Sequence, residues 1–254
     1  MRFILGLLFA LGCAVLPLHA ETVVAGMNQN RIAITANFDG SEILIFGAIK
    51  RETAIPADEA LGVIITVAGP SKPVVVRRKE KRLGIWINVD AVEIDLAPSF
   101  YAVATSDIWS SVISDTEDLR YRVSVPRAIR SVGAPMNVTD AGAFTDAVIR
   151  IRAANGLYSL EEGAVELSED TLFNTAITLP SNLTEGTYVA RFFLTRGGRV
   201  VDVHQTEIEV QKVGLERFLY SLAHEQPLIY GLLSLFIAIV AGWGASAIFR
   251  YFKS

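Results

Sequence analysis

Between residues 31 and 106, apolar and polar positions alternate in short runs broken by turn-forming residues: Arg31–Phe38, Glu42–Ile49, Leu61–Ala68, Pro73–Arg78, Leu83–Val89 and Ser99–Thr105. Alternation of period two in β-branched and aromatic runs is the pattern of half-buried strands. In the first run Ile32, Ile34 and Ala36 alternate with Ala33, Thr35 and Asn37, which predicts one face in a core and one partly solvated. Asp39-Gly40 predicts a tight hairpin between the first two runs. Trp86, on the fifth, is expected to plug the core.

The period changes after residue 106. Ile108 to Val112 reads as a weak helix or turn, and Phe144, Val148 and Ile151 recur at helical spacing with Arg150 and Arg152 on other faces, ending at Asn155-Gly156. Strand patterns resume at Ala164–Ser168, Thr171–Leu179, Gly186–Arg196 and Arg199–Gln211, the last two joined through Gly197-Gly198. Gly186-Thr187-Tyr188, at the head of a long penultimate strand, resembles the closing hairpin of immunoglobulin-like sandwiches. The expected fold is therefore mainly β with minor α: an immunoglobulin-like antiparallel β-sandwich, as one unit or two lobes, plus one C-terminal transmembrane helix. The strand lobes are 21–106 and 161–211, with a helical connection over 107–160.

Both ends are apolar in a different way. Residues 1–20 combine a short basic start, an apolar run from Phe3 to Leu16 and Ala20 as the small residue at −1, with Leu18 at −3 larger than the usual Ala, a secretory signal peptide with cleavage predicted after Ala20. A rival reading takes Ala10-Leu11-Gly12-Cys13 as a lipobox, but Ala10 stands where Leu is usual and the apolar run continues past Cys13. Leu228 to Phe249 carries no charge and rises about 33 Å as a helix, enough to cross a hydrocarbon core. Arg250 and Lys253 follow at once, whereas the nearest base before the span is Arg217, so the tail 250–254 is expected in the cytoplasm and the bulk of the chain in the periplasm of a bacterial inner membrane. Between strands and span, residues 212–227 place Leu215, Phe218, Leu219 and Leu222 on one helical face, with Pro227 suited to the first position of the spanning helix.

Composition narrows the function. Cys13 is the one cysteine and lies in the predicted signal peptide, which leaves the mature chain without disulfide, thiolate nucleophile or thiolate metal ligand. Removing residues 1–20 takes away Arg2 and no acid, moving the formal charge from −4 to −5 and arguing against nucleic acid. Only His204 and His224 remain, too few for a histidine-based triad or a multi-histidine metal site. Acid pairs such as Asp115, Glu117 and Asp118, or Glu161 and Glu162, lie in polar stretches where solvated faces are expected. Gly242-Trp243-Gly244-Ala245-Ser246-Ala247 matches a dinucleotide fingerprint, but it sits inside the apolar span, where neither the required strand nor a soluble helix is available. No enzyme and no cofactor are expected.

Two patches remain. Arg77, Arg78, Lys79, Lys81 and Arg82 surround Glu80 at the tip of a predicted hairpin. They read as a solvated turn guarding strand edges, or as a docking patch for anionic lipid or an acidic partner. In the span, Ser234, Ala238, Gly242 and Ser246 recur every four residues, a small-residue stripe that lets a second helix approach closely.

The run Val76 to Asn88 (VRRKEKRLGIWIN), with Ala97-Pro98-Ser99-Phe100-Tyr101-Ala102-Val103, Ala147 to Tyr158, Leu172-Phe173, Leu179-Pro180, Gly186-Thr187-Tyr188, Val213-Gly214-Leu215-Glu216 and Gln226 to Gly231, resembles an alphaproteobacterial transmembrane protein family across nearly the whole mature chain. That resemblance implies a signal peptide, one C-terminal span and no assigned activity, and it suggests a TauE/SafE-type exporter as partner. The expected role is a membrane-tethered accessory protein. The rival is a periplasmic small-ligand-binding module on the same tether.

Overall fold

A computed structural model describes residues 21–34, 40–51, 59–133, 138–212 and 215–252. Four strands, β1 (Glu21–Met27), β3 (Ser41–Arg51), β9 (Glu166–Ser168) and β10 (Leu172–Leu179), form an antiparallel sheet in the order β1-β3-β10-β9. Six others, β2 (Arg31–Ile34), β4 (Leu61–Ala68), β7 (Tyr101–Thr105), β8 (Tyr158–Glu161), β11 (Gly186–Arg196) and β12 (Arg199–Lys212), form the facing sheet in the order β2-β12-β11-β4-β7-β8. A separate two-stranded ribbon joins β5 (Ser71–Arg82) to β6 (Ile85–Pro98).

Alternation along the strands builds the core between the sheets. Val23, Ile43, Ile45, Phe173, Ile177 and Leu179 from the smaller sheet meet Val63, Ile65, Val67, Ala190, Phe192 and Ile208 from the larger one. Phe173 and Phe192 pack with ring centroids 6.3 Å apart. Tyr188 is buried, and its hydroxyl donates to Thr184 O at 2.8 Å, the side-chain-to-backbone tie that fixes the corner at the head of the corresponding strand in immunoglobulin-like sandwiches.

The larger sheet is covered on both faces, which is why β4 and β7 are buried almost throughout. Ile64, Tyr101, Val103 and Phe193 point outward from it into a second cluster with Ile94, Val112, Ile113, Val123, Ile129 and Val148. Short helices α1 (Trp109–Val112), α2 (Asp115–Tyr121) and α3 (Val125–Ala128) and the longer α4 (Ala141–Ala154) supply this third layer. In α4, Phe144 and Val148 are buried as expected, but Ile151 is exposed. Arg152 reaches the protein instead, donating to Pro98 O and to the Tyr158 hydroxyl.

Three sequence expectations change here. Strands from 21–106 and from 161–211 share both sheets, with β3 beside β10 and β4 beside β11, so the two stretches interleave in one sandwich and do not form two lobes. The larger sheet is mixed, because β2 pairs in parallel with β12 and β7 in parallel with β8. The expected hairpin at Asp39-Gly40 is not seen among the described residues, where β2 and β3 lie in different sheets. Asp39 itself lies outside the described residues. Gly40 has φ +116°, and a Cβ there would come within 2.8 Å of Leu179 O, so this glycine answers to the close approach of β10. Pattern-based reading also missed β1 and β8, one adjoining the apolar N-terminal run of the sequence and the other only four residues long.

After Lys212 come α5 (Leu215–Glu225) and the long helix α6 (Pro227–Phe252), nearly continuous through Gln226 N to Leu222 O and Tyr230 N to Gln226 O. On α5, Leu222 is half-buried and Leu219 is exposed, and the side chains of Leu215 and Phe218 lie outside the described residues. Over Pro227–Ser246, α6 is long and apolar enough to cross a membrane, and none of that window is buried against the protein.

Candidate functional site

Three of the acids that the sequence offers for chemistry, Glu117, Asp118 and Glu162, hold backbone together. Asp118 is buried and accepts from Val123 N at 3.0 Å and Ser124 N at 2.7 Å, while Glu117 accepts from Val200 N at 3.1 Å. Glu162 accepts from Trp109 N at 2.7 Å. Asp118 braces the turn that follows α2, Glu117 ties α2 to β12 and Glu162 ties the end of β8 to α1, so Asp118 in particular departs from the solvated face expected of it. His204 packs against Phe192 and His224 stacks on Tyr220, far apart in the fold's element order. Among the described residues, no group of three or more histidine, cysteine or acidic side chains is placed to hold a metal.

The five predicted bases do lie on a hairpin, but its alternation sorts them. Cross-strand partners share a face. Val74, Val76 and Arg78 share theirs with Ile94, Val92 and Asp90, the face that α4 covers. Arg78 is held there: its guanidinium lies 2.6 Å from Asp140, 3.7 Å from Asp90 and 4.6 Å from the Phe144 ring centre. The hydrogen bond from Arg78 holds the Asp140 carboxyl below its ordinary range. Farther out on the same face, Arg82 pairs with Glu80 at 3.2 Å. Arg77, Lys79 and Lys81 alternate onto the opposite face, all exposed and with no acidic partner among the described residues.

Trp86 stands opposite Lys81 on that basic face and is 66% exposed, which overturns its expected place in the core. The reason is reach. Packing by α4 ends near Arg78, and the strands continue beyond it. Leu83 and Ile85 at the turn are exposed as well. Leu83 and Gly84 have φ +49° and +85°, the left-handed pair that a tight two-residue hairpin turn needs.

In α6, Ser234, Ala238, Gly242 and Ser246 are all exposed, and a Cβ at Gly242 would meet nothing within 4 Å. Steps of four residues drift about 40° each, so the stripe wraps gently around the helix. It touches no other described element. A third feature was not read from the sequence: an open groove of about 610 Å³ on the outer face of the smaller sheet, lined by Val24, Gly26, Phe46, Gly47, Leu172 and Asn174. Val24, Phe46 and Leu172 are exposed apolar side chains on strands whose alternate residues enter the core.

The family model described as Putative transmembrane protein (Alph_Pro_TM) matches residues 22–251, from the first strand to the end of the apolar helix. The chain belongs to this alphaproteobacterial transmembrane family. Membership joins the β sandwich and α6 in one protein unit, in keeping with the one candidate span among the described residues and a β-rich domain. No curated relative matches this family member at a significant level.

Proposed function

We propose that the protein is a non-catalytic accessory subunit of a bacterial inner-membrane system, made with a signal peptide over residues 1–20 and anchored by α6. Its sandwich stands in the periplasm, its tail 250–254 lies in the cytoplasm, and it attaches to a second integral membrane protein, for which a TauE/SafE-type exporter is the suggested class. The observation that carries this reading is that a helix of mean hydropathy 2.0 over Pro227–Ser246, unburied over that stretch, follows the closing strand of a folded domain with only a short helical link. Basic residues Arg250 and Lys253 beyond the span support the orientation. The uncovered stripe on α6 supports a helical partner.

Topology and partnership are tested separately. A C-terminal reporter that is active only in the cytoplasm should be active, and protease added outside the inner membrane should reach the sandwich. Purification in mild detergent should recover an integral membrane protein in fixed ratio. Retention of Met1, or an externally placed C-terminus, would overturn the topology, and recovery of the chain alone would overturn the accessory role. The groove on the smaller sheet favours a second reading, a tethered binding module for a small apolar ligand. Its lining offers few polar groups to fix a ligand's orientation, so the accessory reading stands ahead of it.

A further inference from the structure

We propose that the tip of the β5–β6 hairpin is a second membrane contact, seating Leu83, Ile85 and Trp86 at the headgroup level of an anionic phospholipid bilayer while Arg77, Lys79 and Lys81 engage its phosphates. The inference rests on the reading of α6 as the anchor and adds a site to it.

Placement is the first argument. β11 runs antiparallel to both β4 and β12, and Val189 faces Ala68 on one side and Glu207 on the other. β4 and β12 therefore run in the same direction and finish at the same end of the sheet. From that end β12 leads through α5 to the spanning helix, and β4 leads through Gly69-Pro70 into the hairpin. The ladder does not break at the exit: Gly69 N donates to Phe100 O at 2.8 Å and Ser99 N to Pro70 O at 2.9 Å before Ser71 pairs with Pro98. A side chain at Gly69 would collide with Ser99 Oγ at 2.6 Å and Tyr188 Cε1 at 2.9 Å, so the root is tightly packed. The arm and the tether thus leave the sandwich together.

Reach is the second. Twelve strand residues from Ser71 to Arg82 extend about 40 Å, whereas α5 rises about 16 Å over its eleven residues. The arm is long enough to meet the bilayer surface that the tether holds nearby. Its lower half is stiffened by α4 through Arg78, Asp140 and Phe144, and its outer part carries no such cover.

Chemistry is the third. An outer hairpin that only guarded strand edges would carry charge and small polar turn residues. This one has Leu83, with relative exposure of 105%, in a left-handed conformation that Asn, Asp or Gly adopts more readily. Ile85 and Trp86 follow it, exposed at 65% and 66%. An aromatic and aliphatic tip flanked by unpaired bases is the composition of interfacial membrane contacts, and each base near an anionic leaflet raises surface affinity about fivefold. An acidic protein partner would suit the bases but leave the apolar tip uncovered.

The test uses the full chain with Trp109→Phe and Trp243→Phe, so that Trp86 is the one reporter, reconstituted with the sandwich outward. Vesicles of phosphatidylcholine alone are compared with vesicles containing phosphatidylglycerol, each with and without brominated acyl chains. Flotation first verifies that α6 anchors the protein, which keeps failure of the anchor apart from failure of this proposal. In anionic vesicles Trp86 emission should shift to the blue and be quenched severalfold by brominated lipid, with the quenching largely lost in Lys79→Glu/Lys81→Glu and in high salt. These two positions make no core contact, and circular dichroism checks that the variant remains folded. Unquenched Trp86 in anionic vesicles, or equal quenching in both lipids, would overturn the proposal. A blue shift without quenching by brominated lipid would also overturn it, in favour of contact with a second copy.

Discussion

Glu21 and Arg196, 175 positions apart, meet in a two-pronged ion pair, with Arg196 Nε 2.8 Å and Nη2 2.7 Å from the two carboxylate oxygens. Arg51 approaches the same carboxylate at 2.7 Å from the end of β3, and all three side chains are buried or nearly so. The cluster locks the first residue of β1 to the far end of β11, across the two sheets. Arg51 also donates to Asp170 O and Thr171 Oγ1, and Arg196 to Glu59 O, so neighbouring turns depend on it.

The Glu21 carboxyl is held below its ordinary value of 4.5, first by the hydrogen bond from Arg196, with burial opposing and Arg51 assisting. A carboxyl whose folded value is depressed stabilises the fold above its unfolded value, and that stability is lost as pH falls through the folded one. Urea midpoints measured against pH should therefore drop below about pH 4.5. Glu21→Gln should start lower at neutral pH and show a shallower acid decline. Glu21→Ala, which strands two buried guanidinium groups, should cost about 3–5 kcal/mol. A variant with the wild-type pH profile would remove Glu21 from the acid response.

Gly47 on β3 faces a different constraint. A Cβ there would lie 2.3 Å from Phe173 Cζ and 2.8 Å from Val24 O, and Phe173 is itself locked in the core against Phe192. Gly47→Ala should destabilise the domain by about 1–3 kcal/mol through overpacking. Combined with Phe173→Leu, it should cost less than the two changes summed, which thermal melts of the four proteins would reveal. Strict additivity would mean that the ring moves aside freely.

A chain ending at Lys212 should fold by itself. β12 finds its partners in β11 and β2, so the sandwich's backbone hydrogen bonds close without α5 or α6. Circular dichroism should show a β-rich, cooperatively melting, water-soluble domain. Aggregation or loss of the transition would place α5 within the folding unit.

Gly242→Leu tests the stripe on α6. Since nothing described lies within 4 Å of a Cβ at Gly242, bulk added there meets no other described part of the chain, and the effect expected is intermolecular. Recovery of a membrane partner, or of a second copy, should fall in Gly242→Leu and hold in Leu233→Phe, which adds bulk about 180° around the helix from Gly242. Equal recovery from both would make the helix a plain tether.

Periodicity located elements better than it located their neighbours. Leu61–Ala68 and Gly186–Arg196 were legible to the residue, because each is a long β-branched or aromatic run between turn residues. The pairing of β2 with β12 was not, since alternation records which face is covered and carries no information on the strand alongside. Trp86 failed for a related reason: an aromatic residue in a strand pattern implies burial only where a second layer reaches it, and α4 stops at Arg78. The basic cluster was visible in composition and alternation along β5 divides Arg78 from the outward trio, but that Trp86 joins the trio's face follows from the register shift opposite Arg78 and Lys79, where β6 carries an extra residue. No local pattern foretold Glu21 meeting Arg196, because the ion pair depends on the whole sandwich being assembled.

The parallel pairing of β2 with β12 also fixes an order of events. During synthesis β2 is made early and its neighbour arrives only at the end of the domain, just ahead of the apolar helix that begins at Pro227. Strand pairing across so long a separation is slow, because the loop must close before the contacts form. The larger sheet therefore stays incomplete until the chain is almost finished, and its last step competes in time with the docking of α6 into lipid. Completion of the sandwich and seating of the apolar helix thus fall within the same short interval of synthesis.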